Sequence, residues 1–229
     1  MNYLIIFFSF CFFNLNLYAQ SKKLYKVNPG EKVIEVIPKK DIYKYPEFRQ
    51  GTVLLRDGTY GVARLNYNSL FGEMQFIDPK ADTLSLADEK NIASIAVSKD
   101  TFYYDNGYLE LIADYNKIKL AGKRLIDFSN RQKIGALDIA GAGEIETYTT
   151  MSSRESLKDL IAKEVLTFSE HMIYYFGDRF NHFMLANKKN VLKICAKEQG
   201  KISKYLDNNP VNFNNENDLK RLGIFLQGL

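Results

Sequence analysis

From Gly51 to about Phe128 the chain keeps returning to one pattern, a short run of alternating apolar and polar residues followed by a cluster of turn formers. Side chains project from a strand with a period of two and from a helix with a period of 3.6, so this alternation selects half-buried strands. Thr52–Arg56 meets Asp57-Gly58 and is answered by Tyr60–Asn68; Asp-Gly tolerates the left-handed dihedrals of a tight hairpin turn. Glu73–Ile77 and Thr83–Ala87 alternate across the turn Asp78–Asp82. Ile92–Val97, Thr101–Tyr104 and Tyr108–Ala113 continue the series, the last two across Asp105-Asn106-Gly107, and Lys117–Leu120 and Leu125–Phe128 add two further short strands. Short strands with short connections predict a mainly β (α+β) fold: an antiparallel meander forming a curled sheet, a sandwich or a partial barrel.

Both flanks differ from this body. Residues 20–50 mix Lys, Tyr, Pro and brief apolar stretches, with Pro29, Pro38 and Pro46 as punctuation. They read as a basic extended arm in which Val33–Ile37 forms a strand. After residue 128, Gly135, Gly141 and Gly143 fall among small residues, and Glu144–Thr150 reads as extended. Ser152 and Glu155 stand at the spacing of a capping box. Val165–Phe168 follows, then a hairpin of Met172–Phe176 and Phe180–Leu185 across Gly177-Asp178. The body thus spans 51–186. Residues 187–229 are helical, in two or three helices packed on the body. Asn187 opens the first, Gly200 marks a kink or a break, and Asp207–Pro210 ends that segment. Asn214 or Asn215 caps a last helix carrying Leu219, Leu222, Phe225 and Leu226 at helical spacing.

The first twenty residues contain no Lys, Arg, Asp or Glu, and Leu4–Phe13 is an almost unbroken apolar run. With the polar break at Asn14 and Asn16 and the small residue Ala19, this reads as a signal peptide, residues 1–19, cut after Ala19. A retained anchor needs about 20 apolar residues, a length that the two asparagines interrupt. A lipoprotein signal would need a small residue before Cys11, where Phe10 stands. Location is therefore expected to be periplasmic, outer-membrane-associated or extracellular, with no transmembrane span after cleavage. Cys195 is then the single cysteine of the mature chain, which rules out an intrachain disulfide. At 46% hydrophobic and 25% charged, the chain has the composition of a globular protein.

A resemblance is carried by Gly51-Thr52-Val53, Leu65-Asn66-Tyr67-Asn68, Gly72–Ile77 and Asp82–Leu86, and toward the C-terminus by Lys188-Lys189, Lys201–Tyr205, Val211-Asn212-Phe213 and Asp218-Leu219. These loose motifs, spread over most of the mature chain, resemble a recurrent block in uncharacterised exported β-rich proteins of Bacteroidota. The resemblance implies a Gram-negative envelope location and carries no activity and no site residues.

The residues themselves offer little reactive chemistry. His171 and His182 are the two histidines. A zinc site on them would need carboxylates or Cys195 from elsewhere, without an HExxH or CxxC spacing to supply them. A Ser-His-Asp set would have to be assembled from distant positions, and no GxSxG elbow is present. Ala140–Glu144 lacks the endings of a phosphate loop. Asp57, Asp78, Asp82 and Asp105 sit where turn chemistry alone explains them. Tyr103, Tyr104, Tyr108, Tyr174, Tyr175 and Phe176 could stack on a sugar or pair across strands. No catalytic, metal or cofactor site is predicted.

Charge gives the one candidate surface. The net +4 is distributed as +4 over residues 21–50, −4 over 51–186 and +4 over 187–229. Within the last segment Lys189, Lys193, Lys197 and Lys201 recur every four residues, with Lys204 nearby, and on one helix they would share a face. Such a row suits lipid headgroups, lipopolysaccharide or acidic glycans, although the solvent face of any amphipathic helix has the same look. The first expectation is an exported non-enzymatic envelope protein that binds a partner protein or an anionic surface, not nucleic acid. The alternatives are a hydrolase of envelope or extracellular polymers, and a structural component assembling by strand or arm exchange.

Overall fold

The computed structural model describes residues 23–132 and 154–229. The chain opens with β1 (Leu24–Val27), two single-turn helices α1 (Val33–Val36) and α2 (Lys39–Ile42), then β2 (Arg49–Leu55), β3 (Tyr60–Asn68), β4 (Glu73–Ile77) and β5 (Thr83–Ser85). It continues through β6 (Ile92–Val97), β7 (Asp100–Tyr104), β8 (Tyr108–Asp114), β9 (Ile118–Gln132), β10 (Val165–Asp178) and β11 (Phe183–Leu185). Three helices close it: α3 (Lys188–Ile194), α4 (Gln199–Asn208) and α5 (Glu216–Gln227).

All eleven strands belong to one antiparallel sheet, curled but unclosed, in the order β1-β10-β9-β8-β7-β6-β2-β3-β4-β5, with β11 also paired to β10. The predicted meander is therefore realised as a curled sheet with helices at its C-terminal end. The hairpin turns use the residues that permit them: Gly58 has φ +89°, and Asn106 and Gly107 have φ +55° and +120°. Those values lie in the left-handed region that Gly and Asn tolerate best.

Cross-strand partners share a face of the sheet. The registers Val53↔Ile95, Ile95↔Phe102, Phe102↔Glu110, Glu110↔Gly122 and Gly122↔Tyr174 therefore trace one continuous inner face. Three apolar clusters line it. One gathers Leu65, Met74, Ile95, Phe102 and Tyr108. A second joins Phe168 and Ile126 to Val27, Val33, Ile37 and Ile42 of the N-terminal segment. The third joins Leu120 and Phe176 to Val191, Ile202, Leu219, Leu222 and Leu226 of the C-terminal helices.

Two expectations are corrected by this arrangement. The basic extended arm of residues 20–50 is, over its described part, a folded piece of the body. β1 pairs with β10, and the predicted strand Val33–Ile37 is instead the helical turn α1, Val33–Val36, closed by Ile37. Val33 and Ile37 are spaced i and i+4, and both are buried, while Ile34 between them is 37% exposed. The same string fits a period of two, and only the neighbouring cluster decides which face it must fill. Polar contacts hold the segment down. Lys23 pairs with Asp41, whose carbonyl accepts from Arg124 at 3.3 Å, and Arg124 pairs with Glu170 at 2.7 Å. Asn66 exchanges bonds of 3.1 and 2.8 Å with the backbone N–H and carbonyl of Tyr45.

The second correction concerns strand length. Ile118–Leu120 of the first predicted short strand and Leu125–Phe128 are parts of the single 15-residue strand β9, with Lys117 left in the turn before it. Val165–Phe168 and Met172–Phe176 are likewise parts of the 14-residue β10, so that turn falls after Asp178. Gly122 looks like a breaker in sequence, yet it sits mid-strand because Met172 and Ile112 pack into the space a side chain would need. Gly135, Gly141, Gly143, Glu144–Thr150 and Ser152 lie outside the described residues. Arg154–Asp159 is a short 3-10 turn.

Candidate functional site at the C-terminal helices

The helical layer is positioned by its caps and its buried stripe. The Asn187 side chain accepts from the backbone N–H of Asn190 at 2.8 Å and starts α3, and Asn215 accepts from Asp218 at 3.1 Å and starts α5. Val191, Ile202, Leu219, Leu222 and Leu226 turn toward Leu120 and Phe176 on the sheet. Stacking of Tyr205 on Phe225, with centroids 3.9 Å apart, ties α4 to α5. With one stripe committed to the sheet, Lys188, Lys189, Lys193, Lys197, Lys201 and Lys204 are left exposed.

The lysine row does not run along one helix. The chain leaves α3 at Cys195, with φ −104° and ψ 47°, and passes through a 3-10 turn over Ala196–Glu198 before α4 begins. The break precedes Gly200, which is an ordinary second residue of α4. Lys189 and Lys193 stay together on α3. With Lys188, Leu192, Ala196 and Gln199 they border an open hollow. Lys197 instead borders a separate cleft on the other side of the turn. Lys201 lies on α4 and pairs with Glu198 at 2.9 Å, and Lys188 pairs with Asp207 at 3.0 Å. Lys189, Lys193 and Lys197 make no ion pair among the described residues, so their charge is available to a ligand.

The second cleft has a volume of about 750 Å³ and lies between the helices and two hairpin turns. Ile118, Ile194 and Leu226 form its apolar lining. Lys117, from the turn before β9, and Arg179, from the turn after β10, stand on its border beside Lys197. Sequence reading misses Lys117 and Arg179, since each is a lone turn cation far along the chain from the lysine row. Cys195 stands in the wall, where burial pushes its thiol upward and Lys117 opposes this only in part. The thiol packs against the apolar cluster beneath the helices.

Neither histidine borders these two cavities. His171 Nε2 lies 3.2 Å from Asp127 on the adjacent strand, and the largely exposed His182 bonds Asp178 through Nδ1 at 3.0 Å. Asp178 also accepts from the backbone N–H groups of Phe180 and His182, at 2.8 and 3.0 Å. Partial burial pushes its carboxyl up, but the bonds from His182 and Phe180 outweigh that and hold it below the ordinary aspartate value. A depressed folded-state value means that the carboxylate stabilises the turn fully above the ordinary range, and that this is lost as pH falls through the folded value. In an NMR acid titration, the Phe180 and His182 amides should therefore move with a midpoint below 3.8. A midpoint at or above that value would disprove the assignment.

Among the described residues no group of three or more His, Cys, Asp or Glu is placed to hold a metal ion. The turn aspartates serve their own backbones: Asp57 accepts from Thr59 N–H at 2.8 Å, and Asp78 from Lys80 and Asp82 at 2.9 and 2.8 Å. Five of the six aromatic residues have packing partners, Tyr174 among them in the cluster beneath the helices. Tyr108 and Phe176 are core residues, Tyr103 lies against Phe183 at 5.5 Å, and Tyr104 meets Tyr108 edge-on at 5.1 Å. Among the described residues no helix is long and apolar enough to cross a membrane.

Comparison with protein-family models, curated proteins and solved structures finds no match.

Proposed function

We propose that the protein is an exported, non-enzymatic envelope protein that holds an anionic surface through the α3 face of its C-terminal helices. The observation that carries this reading is that Lys189 and Lys193 stand exposed beside Leu192, while Lys188 and Lys201 have carboxylate partners. Two unpaired cations around an apolar patch favour an anionic layer with some hydrocarbon within reach. The charge-free leader and the resemblance to exported Bacteroidota proteins support the compartment.

An exposed lysine near an anionic bilayer contributes about 1 kcal/mol. Replacing both Lys189 and Lys193 with alanine should therefore weaken sedimentation with anionic phospholipid vesicles about thirtyfold. Binding by the parent protein should also fall as salt rises. Equal retention of parent and double variant would refute the reading, as would equal binding to zwitterionic vesicles.

A further inference from the structure

The long strand β10 is covered, along the edge facing away from β9, by two short strands that do not meet. β1 runs antiparallel to it from Val27 opposite Leu166 to Leu24 opposite Ser169, and the Lys23 carbonyl accepts from Glu170 N–H at 3.2 Å. β11 takes up the same edge at Tyr175–Gly177, and the Tyr174 carbonyl accepts from Ala186 N–H at 2.8 Å. Between these two bonds lie His171, Met172 and Ile173. In an antiparallel ladder successive residues turn their N–H and carbonyl groups toward opposite neighbours. Glu170 and Tyr174 turn theirs to this edge, so Met172 does too, and among the described residues no strand stands opposite it there.

Unpaired backbone at a sheet edge is a template for another strand, and here the register fixes how much strand fits. Carried back from Leu24↔Ser169, the same pairing puts Lys22 opposite His171, Ser21 opposite Met172 and Gln20 opposite Ile173. One residue further, Ala19 would fall opposite Tyr174, a place that Ala186 already holds. The notch therefore accepts three residues ahead of Lys23, and a leader cut after Ala19 leaves three. The first count comes from strand register and the second from the composition of the leader, so their agreement is not built in.

We infer that this notch is the seat of the mature N-terminus: Gln20–Lys22 extend β1, and Ser21 exchanges both backbone bonds with Met172. The inference rests on the reading that the leader is removed after Ala19. A chain that still carries its leader has no room in the notch beyond Gln20, so processing and completion of the sheet edge go together. The occupant is this chain's own segment because β1 already delivers it in register. A strand from another molecule would have to enter a space walled at both ends by β1 and Ala186.

The test is amide hydrogen exchange, read by NMR on the chain 20–229, on the chain 23–229, and on Ser21→Pro and Lys22→Pro variants of the first. Met172 N–H should exchange about tenfold more slowly in 20–229 than in 23–229. Phe176 N–H, opposite Met184 on β11, should not change and serves as the control for folding. Ser21→Pro removes an N–H that the pairing uses and should abolish the protection, whereas Lys22 turns its N–H to solvent and Lys22→Pro should keep most of it. Equal Met172 exchange in the two chain lengths, or equal effects of the two prolines, would overturn the inference. So would protection in 23–229 that grows with protein concentration, the mark of a second copy filling the notch. N-terminal sequencing of the exported protein separates the two readings: a start other than Gln20 would refute the cleavage site, while slow Met172 exchange in 20–229 would leave the pairing itself standing.

Discussion

A Phe176→Ala variant should lose about 3–5 kcal/mol of stability, the usual cost of deleting a buried aromatic ring. Phe176 is fully buried in the cluster where β9 and β10 meet all three C-terminal helices, with Leu120, Val191, Leu219 and Leu222 around it. The ring fills space between the sheet and the helices, among the other large side chains of this cluster, so its removal leaves a cavity that the docked layer can close only by shifting on the strands. Urea unfolding followed by circular dichroism measures the loss. Vesicle binding should decline at temperatures well below the parent's melting point, since Lys189 and Lys193 are displayed by α3 of the undocked layer. A change under about 1 kcal/mol would mean that the helices are held by something other than this cluster.

Gly51→Val is the second substitution with a large expected effect. Gly51 lies mid-strand on β2, between β3 and β6, on the inner face of the sheet. A Cβ there would stand 2.7 Å from the Ala96 carbonyl oxygen and 2.9 Å from both Leu65 Cδ1 and Val97 Cγ2. The oxygen belongs to a backbone and cannot swing away as a side-chain tip would. Overpacking of this kind costs about 1–3 kcal/mol, and valine, with three carbons to place, should fall at the upper end. The variant's urea midpoint should drop with little change in slope. A midpoint equal to the parent's would show that the sheet has room at this position.

These two sites also show what was legible in advance. Phe176 was visible as an aromatic on a predicted strand, but its neighbours were not, because Leu120 and Leu222 are distant in sequence. The sequence pattern places Gly51 just before the Thr52–Arg56 strand, and nothing local discloses that it lies within β2 or that a carbonyl closes over it. The Asn187 and Asn215 caps were readable because capping is satisfied within three residues. Helix propensity points to Gly200 as the break, whereas the chain leaves α3 at Cys195. In the fold, both helices must turn apolar residues toward one sheet, and that demand places the break earlier.

The candidate sites divide in the same way. Lys189 and Lys193 emerge from their spacing, because two residues one turn apart share a face whatever surrounds them. The same rule groups Lys197 with them, but the 3-10 turn carries it to another cleft. Lys117 and Arg179 carry no signal at all, each being an unremarkable cation in a hairpin turn.

Period-two alternation and the turn dipeptides sufficed to specify an antiparallel, strand-rich body with capped helices after it, because pleating, tight turns and capping are satisfied by near neighbours. Tertiary structure alone decided that α1 is a helix, that β9 and β10 run unbroken, and which cations meet in a cleft. Those outcomes depend on which surfaces distant segments must bury against each other, and a burial partner many residues away leaves no mark on local spacing.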